Sequence, residues 1–245
     1  MTSNCSLGAL TLRTPNTAAG SAFYAALLDL TEVHGQLRKD EQLVASVALL
    51  PEQARQRGAP AHWLMSIAVA DLERALRDCV DGGAQRLGPT IHDHDKAQLA
   101  ALRDPSGAVF SLCSRDMDPR HPATAHSVLL TPMFERAAHF YSEQFGWTVN
   151  LSPDALAGFG RHGNFSFNNG GDQLALIVEN LHNPKIHPQW LACFSVDDID
   201  EALAKVRALG GLAAGAVTVL PNRDRIVACD DDQGASFGLY QRCVS

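Results

Sequence analysis

Two stretches of the chain share one pattern, and this pattern decides the fold: Asp104-Pro-Ser-Gly-Ala-Val-Phe-Ser-Leu112 and Asp231-Asp-Gln-Gly-Ala-Ser-Phe-Gly-Leu239. Both read Asp-x-x-Gly-Ala-x-Phe-x-Leu, and they lie 127 residues apart. The same offset of 127 residues relates Trp63-Leu64 to Trp190-Leu191. Matches that stay in step over such a distance indicate an internal duplication, which has to be recognised before local features are interpreted.

The duplication reaches back to the beginning of the chain. Thr14-Pro15 recurs as Thr131-Pro132, with an offset of 117 residues. The increase of the offset from 117 to 127 places ten extra residues in the second copy. The segment 116–124 is polar and contains two prolines, which is typical of a linker. We therefore expect one domain at residues 1–115 and a second at residues 125–245.

Each copy shows the same order of predicted elements. A short apolar strand ends at a proline, and a helix with a Phe-Tyr pair follows it. Further along, a strand runs into Asp71 in the first copy and Asp198 in the second, and apolar residues with helical spacing come next. An aspartate at this place suits a helix N-cap. Strands that alternate with helices in this way predict an α+β fold with sheets packed on helices.

Composition and charge exclude several classes of function. The 245 residues carry a net charge of −7, and a chain this acidic lacks the positive surface that nucleic acids or anionic membranes require. No apolar stretch reaches the roughly 18 residues that a membrane-spanning helix needs. The six cysteines include no Cys-x-x-Cys pair, which is typical of free thiols in a reducing compartment. We expect a cytoplasmic protein without a nucleic-acid or membrane partner.

The repeated motifs resemble those of the vicinal-oxygen-chelate superfamily. The motifs are the strand that ends in Thr-Pro, the helix with Phe-Tyr and then Phe145-Gly146-Trp147, the later Trp-x-x-x-x-x-Val-x-Asp, and Asp-x-x-Gly-x-x-Phe. That superfamily contains glyoxalase I, extradiol dioxygenases, fosfomycin-resistance enzymes and bleomycin-binding proteins. The resemblance covers nearly the whole chain and is poorest at residues 30–60. It implies four βαβββ units, paired into cup-shaped sheets with helices on the outside and ligands inside the cups.

Enzymes of this superfamily usually hold a divalent metal in the cup, where it binds adjacent substrate oxygens. The resemblance places the ligand positions at Ala9, Leu64 and Ser111 in the first copy, and at His126, Leu191 and Gly238 in the second. The fourth position of the second copy falls at Glu179 or an apolar neighbour. Since tight sites need about three protein ligands, we expect no bound metal and no other cofactor.

His126 is the only histidine at one of these family positions. Three roles remain open for it: an exposed residue without function beside the linker, a hydrogen-bonding group or general base inside the cup, or a metal ligand. Imidazole titrates near neutral pH, which suits a proton-transfer role. We carry His126 forward as the candidate catalytic residue and as a candidate ligand-binding residue.

Further candidates come from the predicted cup walls. Leu191, Cys193 and Gly238 would form an apolar or small floor of the second cup. Trp63 and Trp190 begin matched strands, where an indole ring either stacks on a flat ligand or packs in the core. We treat all five as candidate ligand-binding residues, and we expect the functional cup to include the second copy.

Polar groups near the predicted cups complete the candidate set. His92 and His94 lie in a loop of the first copy that commonly borders the pocket, with a solvated polar loop as the alternative. Glu179, His162 and Asn164 lie in the region of the insertion, and each either reaches the second cup or lies on the surface. His92, His94 and Glu179 are kept as ligand-binding candidates.

Three functions follow from these observations. The first is a metal-independent binding protein that holds a flat, largely apolar ligand, such as an aromatic natural product or antibiotic, in one cup. The second is a metal-free tailoring enzyme of secondary metabolism with His126 as acid or base, and the third is a divalent-metal lyase or dioxygenase. All three have a small-molecule partner, and a homodimer is a candidate assembly.

Overall fold

The computed structural model describes residues 7–92, 97–114, 124–156, 158–167, 173–180 and 186–243. The first copy forms β1 (Leu7–Thr14), α1 (Thr17–Leu28), β2 (Thr31–Val33), β3 (Gln36–Lys39), β4 (Gln42–Leu49), α2 (Glu52–Gln56), β5 (His62–Ala68), α3 (Leu72–Asp81), β6 (Gln85–Arg86), β7 (Ile91–His92), β8 (Gln98–Arg103) and β9 (Val109–Cys113).

The second copy repeats this order, and its described residues include no counterpart of α2. It forms β10 (Thr124–Thr131), α4 (Phe134–Phe145), β11 (Trp147–Leu151), β12 (His162–Phe167), β13 (Gln173–Glu179), β14 (Gln189–Ser195), α5 (Ile199–Ala208), β15 (Leu212–Ala213), β16 (Thr218–Val219), β17 (Arg225–Asp230) and β18 (Ser236–Gln241). Thr124, predicted as the last linker residue, is the first residue of β10.

Each copy builds one nine-stranded mixed sheet. The first sheet has the strand order β2-β3-β4-β1-β5-β9-β8-β6, with β7 paired to β8. The second has the order β11-β12-β13-β10-β14-β18-β17-β15, with β16 paired to β17. Because the two orders match position by position, the predicted duplication and the α+β class are confirmed.

The helix N-caps predicted at Asp71 and Asp198 are also confirmed. The carboxylate of Asp71 accepts the backbone N–H of Arg74 at 2.9 Å, and that of Asp198 accepts two backbone N–H groups at the start of α5. Gly146 ends α4 with a φ of 69°, a left-handed conformation that glycine adopts without steric cost. Among the described residues, no helix is long and apolar enough to cross a bilayer.

The chain divides into two compact units, and each unit combines parts of both copies. Unit 1 contains residues 1–8, 65–120 and 127–190, and unit 2 contains residues 9–64, 121–126 and 191–245. The sheets therefore follow the sequence copies, whereas the compact units do not. The proposed domain limits at 115 and 125 describe the copies, and they stay a prediction.

A matching chain of hydrogen bonds runs through the core of each unit. In unit 1 the indole N–H of Trp190 donates to the Tyr141 hydroxyl at 2.7 Å, and that hydroxyl donates to Asp104 at 2.9 Å. In unit 2 the indole N–H of Trp63 donates to the hydroxyl of the other repeated tyrosine at 2.9 Å, which donates to Asp231 at 3.1 Å. We call each set a Trp–Tyr–Asp chain. The motif residues of the repeat thus tie the two copies together.

Candidate functional site

Strands β10 to β13 of unit 1 have two distinct faces. Phe165 of β12 packs on the side of α4, with ring centroids 5.6 Å from Tyr141 and 5.4 Å from Trp147. Side chains alternate along a strand, so His162 and Asn164 point to the opposite face. We call the opposite face, away from α4, the helix-free face of unit 1.

The strand register fixes which residues share this face. His162 lies opposite Val178 of β13, which pairs in turn with Leu130 of β10. Asn164 lies opposite Asn150 of β11. Leu130 and Val178 are buried. Polar groups from β11 and β12 therefore stand beside an apolar wall from β10 and β13.

Five polar residues form one strip on the helix-free face, and we call them the polar strip: Thr148, Asn150, His162, Asn164 and Ser166. The Ser166 hydroxyl accepts from the side-chain amide of Asn150 at 2.9 Å and lies 3.0 Å from the Thr148 hydroxyl. Three members of the strip are thus held in place by one another.

The two remaining members carry buried polar atoms. His162 is 7% exposed, and within the part of the chain that the structure describes both its Nδ1 and the Oδ1 of Asn164 are buried without a hydrogen-bond partner. A buried polar atom left in this way costs about 1–3 kcal/mol, and such atoms are rare enough in native proteins to need an explanation. A bound molecule that donates to both atoms is the simplest one.

The outcome for the three histidines of the sequence-based site differs from that for His162. His126 lies in β10, but its side chain is outside the described part of the structure, and His94 lies outside the described residues altogether. His92 is an exposed residue of β7 opposite Gln98. The roles assigned to these three histidines therefore remain proposals.

Leu191, Cys193 and Gly238 of unit 2 do come together. Cys193 of β14 pairs with Gly238 of β18. A Cβ atom placed on Gly238 would lie 2.4 Å from the Cys193 sulfur and 3.4 Å from Leu191. The glycine is therefore required by its neighbours, because any side chain would collide with the thiol.

This arrangement does not fit the metal that the family resemblance implies. Leu191 and Gly238 offer no donor atom, and burial raises the pKa of the nearby Cys193 thiol to about 12. Metals bind cysteine as the thiolate, so this thiol is a poor ligand at neutral pH. In the described parts of the chain, no three His, Cys, Asp or Glu side chains converge as a metal site.

The corresponding positions of the first copy are filled by a hydroxyl pair. The hydroxyls of Ser66 and Ser111 lie 2.6 Å apart, and both residues are 1% exposed. Leu64 has only an apolar side chain. Neutral hydroxyls that bond to each other are weak ligands for a divalent ion, so these residues do not fit a metal either.

Glu179 lies on the other face of β13. It pairs with Thr131, and its carboxylate accepts from the Arg161 guanidinium at 2.8 Å. Arg161 also bonds to Glu135 in the first turn of α4. The hydrogen bonds from Arg161 hold the pKa of Glu179 below its usual range. This carboxylate is therefore occupied by an ion pair on the α4 side, away from His162.

Trp63 and Trp190 are placed as packing residues. Each is about as buried as the core leucines, at 5% and 4% exposure, and each indole N–H is used in a Trp–Tyr–Asp chain. A role of either ring in ligand binding therefore stays a proposal. The alternative that both are core residues of a duplicated unit agrees with the structure.

The sequence analysis named His162 and Asn164 but missed the rest of the strip. The signal was present, because β12 reads His-Gly-Asn-Phe-Ser-Phe from His162. Its polar residues recur at every second position, as expected for one face of a strand. Ser166 belongs to this series, and Thr148 and Asn150 follow from the pairing with β11.

Comparisons with known proteins cover almost the whole chain. Residues 9–113 match the family described as "Glyoxalase-like domain". Residues 123–239 match the "Glyoxalase/Bleomycin resistance protein/Dioxygenase superfamily". A Mycobacterium tuberculosis protein, the candidate glyoxylase CFP32, is 26% identical over 249 residues, which covers 94% of this chain and 92% of that protein.

Solved structures share the fold at low sequence identity. The 2,3-dioxygenase LapB from Pseudomonas sp. KL28 matches with a TM-score of 0.63 and 15% identity, over 100% of this chain and 94% of that one. The Mn(II)-bound glyoxalase from Novosphingobium aromaticivorans matches with a TM-score of 0.61 and 14% identity, over 96% and 81%. Homoprotocatechuate 2,3-dioxygenase from Brevibacterium fuscum matches with a TM-score of 0.64 and 14% identity, over 98% of this chain and 82% of that one. These names give no support to the antibiotic ligand or the role in secondary metabolism.

Proposed function

Because the chain belongs to the glyoxalase/bleomycin resistance/dioxygenase superfamily, with two glyoxalase-like domains in tandem, we propose that it is an enzyme acting on a small molecule. We place its proton-transfer chemistry at the polar strip of unit 1. The observation that carries this proposal is the buried His162 Nδ1 without a partner. On this proposal, the acid/base group belongs to strand β12 of the second-copy sheet and acts without a metal.

The polar strip offers a proton acceptor and an orienting group. A neutral imidazole nitrogen without a hydrogen accepts a proton, and histidine is the side chain that titrates nearest to neutral pH. Asn164 Oδ1, unpartnered as well, would accept a hydrogen bond from a substrate hydroxyl and so orient it. The buried wall of Leu130 and Val178 would exclude water and strengthen these polar contacts.

The substrate class follows from this lining. Two acceptor atoms of the polar strip, beside an apolar wall, favour a small molecule with a hydroxyl group and an acidic C–H or O–H. The printed names of the relatives, which include glyoxalases and dioxygenases, agree with a small-molecule substrate. His126 stays a proposed second acid/base group.

A binding protein without catalysis is the second candidate function. It is favoured by the same unpartnered atoms, because a ligand that donates to His162 and Asn164 needs only a matching shape and two hydrogen bonds. The two candidates differ in what a change at His162 does. Catalysis predicts a loss of rate, and binding alone predicts a loss of affinity.

The test uses His162→Asn, because asparagine keeps a polar atom near the position of Nδ1 but cannot take up a proton. Small α-hydroxycarbonyl and α-dicarbonyl compounds, including dihydroxyacetone and methylglyoxal, are incubated with the protein in deuterium oxide, and proton NMR records replacement of C–H by C–D. We expect a rate lower by roughly 10²–10⁴-fold in the variant, as for loss of a general base. His187→Asn, a change at an exposed histidine, should leave the rate unaltered.

Two results would contradict the proposal. Equal exchange rates for wild type and His162→Asn would remove His162 from the chemistry. A compound that binds the wild type, measured by calorimetry, but never exchanges or reacts would favour the binding protein. In that case His162→Asn should lower affinity by about 1–2 kcal/mol, the usual loss for one hydrogen bond to a buried group.

A further inference from the structure

Arg13 occupies an unusual place in unit 2. It lies near the end of β1, where its neighbour Leu12 packs against Gly20 of α1. Because side chains alternate along a strand, Arg13 points away from α1. It pairs with Ala48 of β4, and Thr11 on the same face pairs with Ser46. We call this surface the helix-free face of unit 2.

Among the described residues, no carboxylate forms a salt bridge with the guanidinium of Arg13. Burial is the cause that lowers the pKa of Arg13. Arginine stays charged even so. A partly buried cation without a partner costs free energy, and this cost points to a role other than folding.

The surroundings of Arg13 are neutral or positive. His62 of β5 lies next to Trp63, which packs on α1, so His62 faces the same way as Arg13. Strands β1 and β5 are neighbours in the sheet. Burial lowers the pKa of His62, the hydrogen bond with the Pro60 carbonyl opposes this shift, and the charge of Arg13 adds to it. Arg38 also lies on this face, and the hydrogen bonds that its guanidinium donates within the described residues go to neutral oxygens of Gln36 and Glu41.

The strands of this face contribute no carboxylate to it. The residues of β1 and β4 that pair on it are Thr11, Arg13, Ser46 and Ala48, and β3 adds Gln36 opposite Ser46. The protein has a net charge of −7, whereas this surface carries two arginines that form no salt bridge with a carboxylate of the described residues. A positive surface of this kind attracts anions.

We propose that the helix-free face of unit 2 is an anion-binding site, in which Arg13 holds the carboxylate or phosphate group of a small ligand. Guanidinium groups bind both oxyanions through paired N–H donors. The Thr11 and Ser46 hydroxyls stand one residue pair further along β1 and β4 and are placed to donate to the same group. This site is separate from the polar strip, and it does not depend on the function proposed there.

The test measures binding of three probes by isothermal titration calorimetry: benzoate, phenyl phosphate and the neutral benzamide. We expect one or both anions to bind wild type, with benzamide weaker. Arg13→Gln should lower the affinity for the anion by about tenfold or more, since a charge-assisted hydrogen bond is lost. Arg74→Gln, a change at an arginine whose side chain is 75% exposed, should bind like wild type. A preference for benzoate identifies a carboxylate site, and a preference for phenyl phosphate identifies a phosphate site.

A second measurement needs no ligand. If Arg13 serves binding rather than folding, Arg13→Leu should raise the melting temperature of the free protein, because it removes a poorly solvated charge. Saturating anion should raise the melting temperature of wild type but not that of Arg13→Leu. The proposal is overturned if neither anion binds wild type, if Arg13→Gln binds them equally well, or if Arg13→Leu melts at a lower temperature than wild type.

Discussion

Removing the hydroxyl of Tyr141 tests whether the Trp–Tyr–Asp chains hold the two copies together. This hydroxyl is fully buried, accepts from Trp190 at 2.7 Å and donates to Asp104 at 2.9 Å. Burial, and after it the charge of Asp104, raises the pKa of Tyr141 well above its usual value. The hydroxyl therefore keeps its proton and acts as donor and acceptor at once.

The expected cost follows from what Tyr141→Phe leaves behind. The Asp104 carboxylate loses one donor but keeps those of Ser106 and Ala108, and losing a hydrogen bond to a charged group costs about 1.5–3 kcal/mol. The Trp190 N–H is left buried without an acceptor, which costs about 1–3 kcal/mol. Because both losses share one atom, they do not add in full. We expect about 3 kcal/mol.

Urea unfolding measures this loss. With a slope of about 3 kcal/mol per molar urea, at the upper end for small proteins, the midpoint should fall by about 1 M. Tyr24→Phe, which breaks the matching chain of unit 2, should cost a similar amount. In a Trp190→Phe background, Tyr141→Phe should cost about 1 kcal/mol less, because the orphaned donor is already gone. A loss below about 0.5 kcal/mol, or an equal loss in both backgrounds, would refute the reasoning.

Two further changes test the packing around the candidate sites. Glu179→Gln removes a carboxylate whose pKa in the folded protein is held below its ordinary 4.5 by the hydrogen bonds from Arg161. The ionised carboxylate stabilises the fold above pH 4.5, and this stabilisation is lost as the pH falls through the lowered pKa. The melting temperature of wild type should therefore fall more than that of the variant between about pH 5 and about pH 3. Gly238→Ala places a methyl group 2.4 Å from the Cys193 sulfur and should cost about 1–3 kcal/mol in thermal unfolding. Adding Cys193→Ala should recover most of that loss, and failure to recover it would mean that the thiol does not cause the clash.

The repeat explains why so much of the fold was predictable. Local signals are repeated in both copies, so that Asp71 and Asp198 each mark a helix start and Gly146 marks a helix end. The pairing of Asp231 with Tyr24 could not be predicted, because the two residues are 207 positions apart and no local pattern specifies which copy's aspartate meets which tyrosine. The sequence shows the repeated motif, but only the folded structure shows that its aspartate bonds to the tyrosine of the other copy.

The candidate site was likewise predictable in part. Alternation along β12 predicts that His162, Asn164 and Ser166 share a face, yet only the register with β13 shows that this face is opposite to that of Glu179. Glutamate is a common metal ligand, but the carboxylate of Glu179 is held in an ion pair with Arg161. Arg13 gave no sequence signal, because the absence of a partner for a charged residue is a property of the folded neighbourhood alone.

The central claim is that the protein works through the polar strip without a bound metal, and turnover after exhaustive chelation tests it most directly. The protein is dialysed against a strong chelator, the chelator is removed, and the rate of C–H to C–D exchange is compared with that of untreated protein. We predict equal rates, with the loss confined to His162→Asn. A rate that falls on chelation and returns with one equivalent of manganese, iron, zinc or nickel would contradict the account.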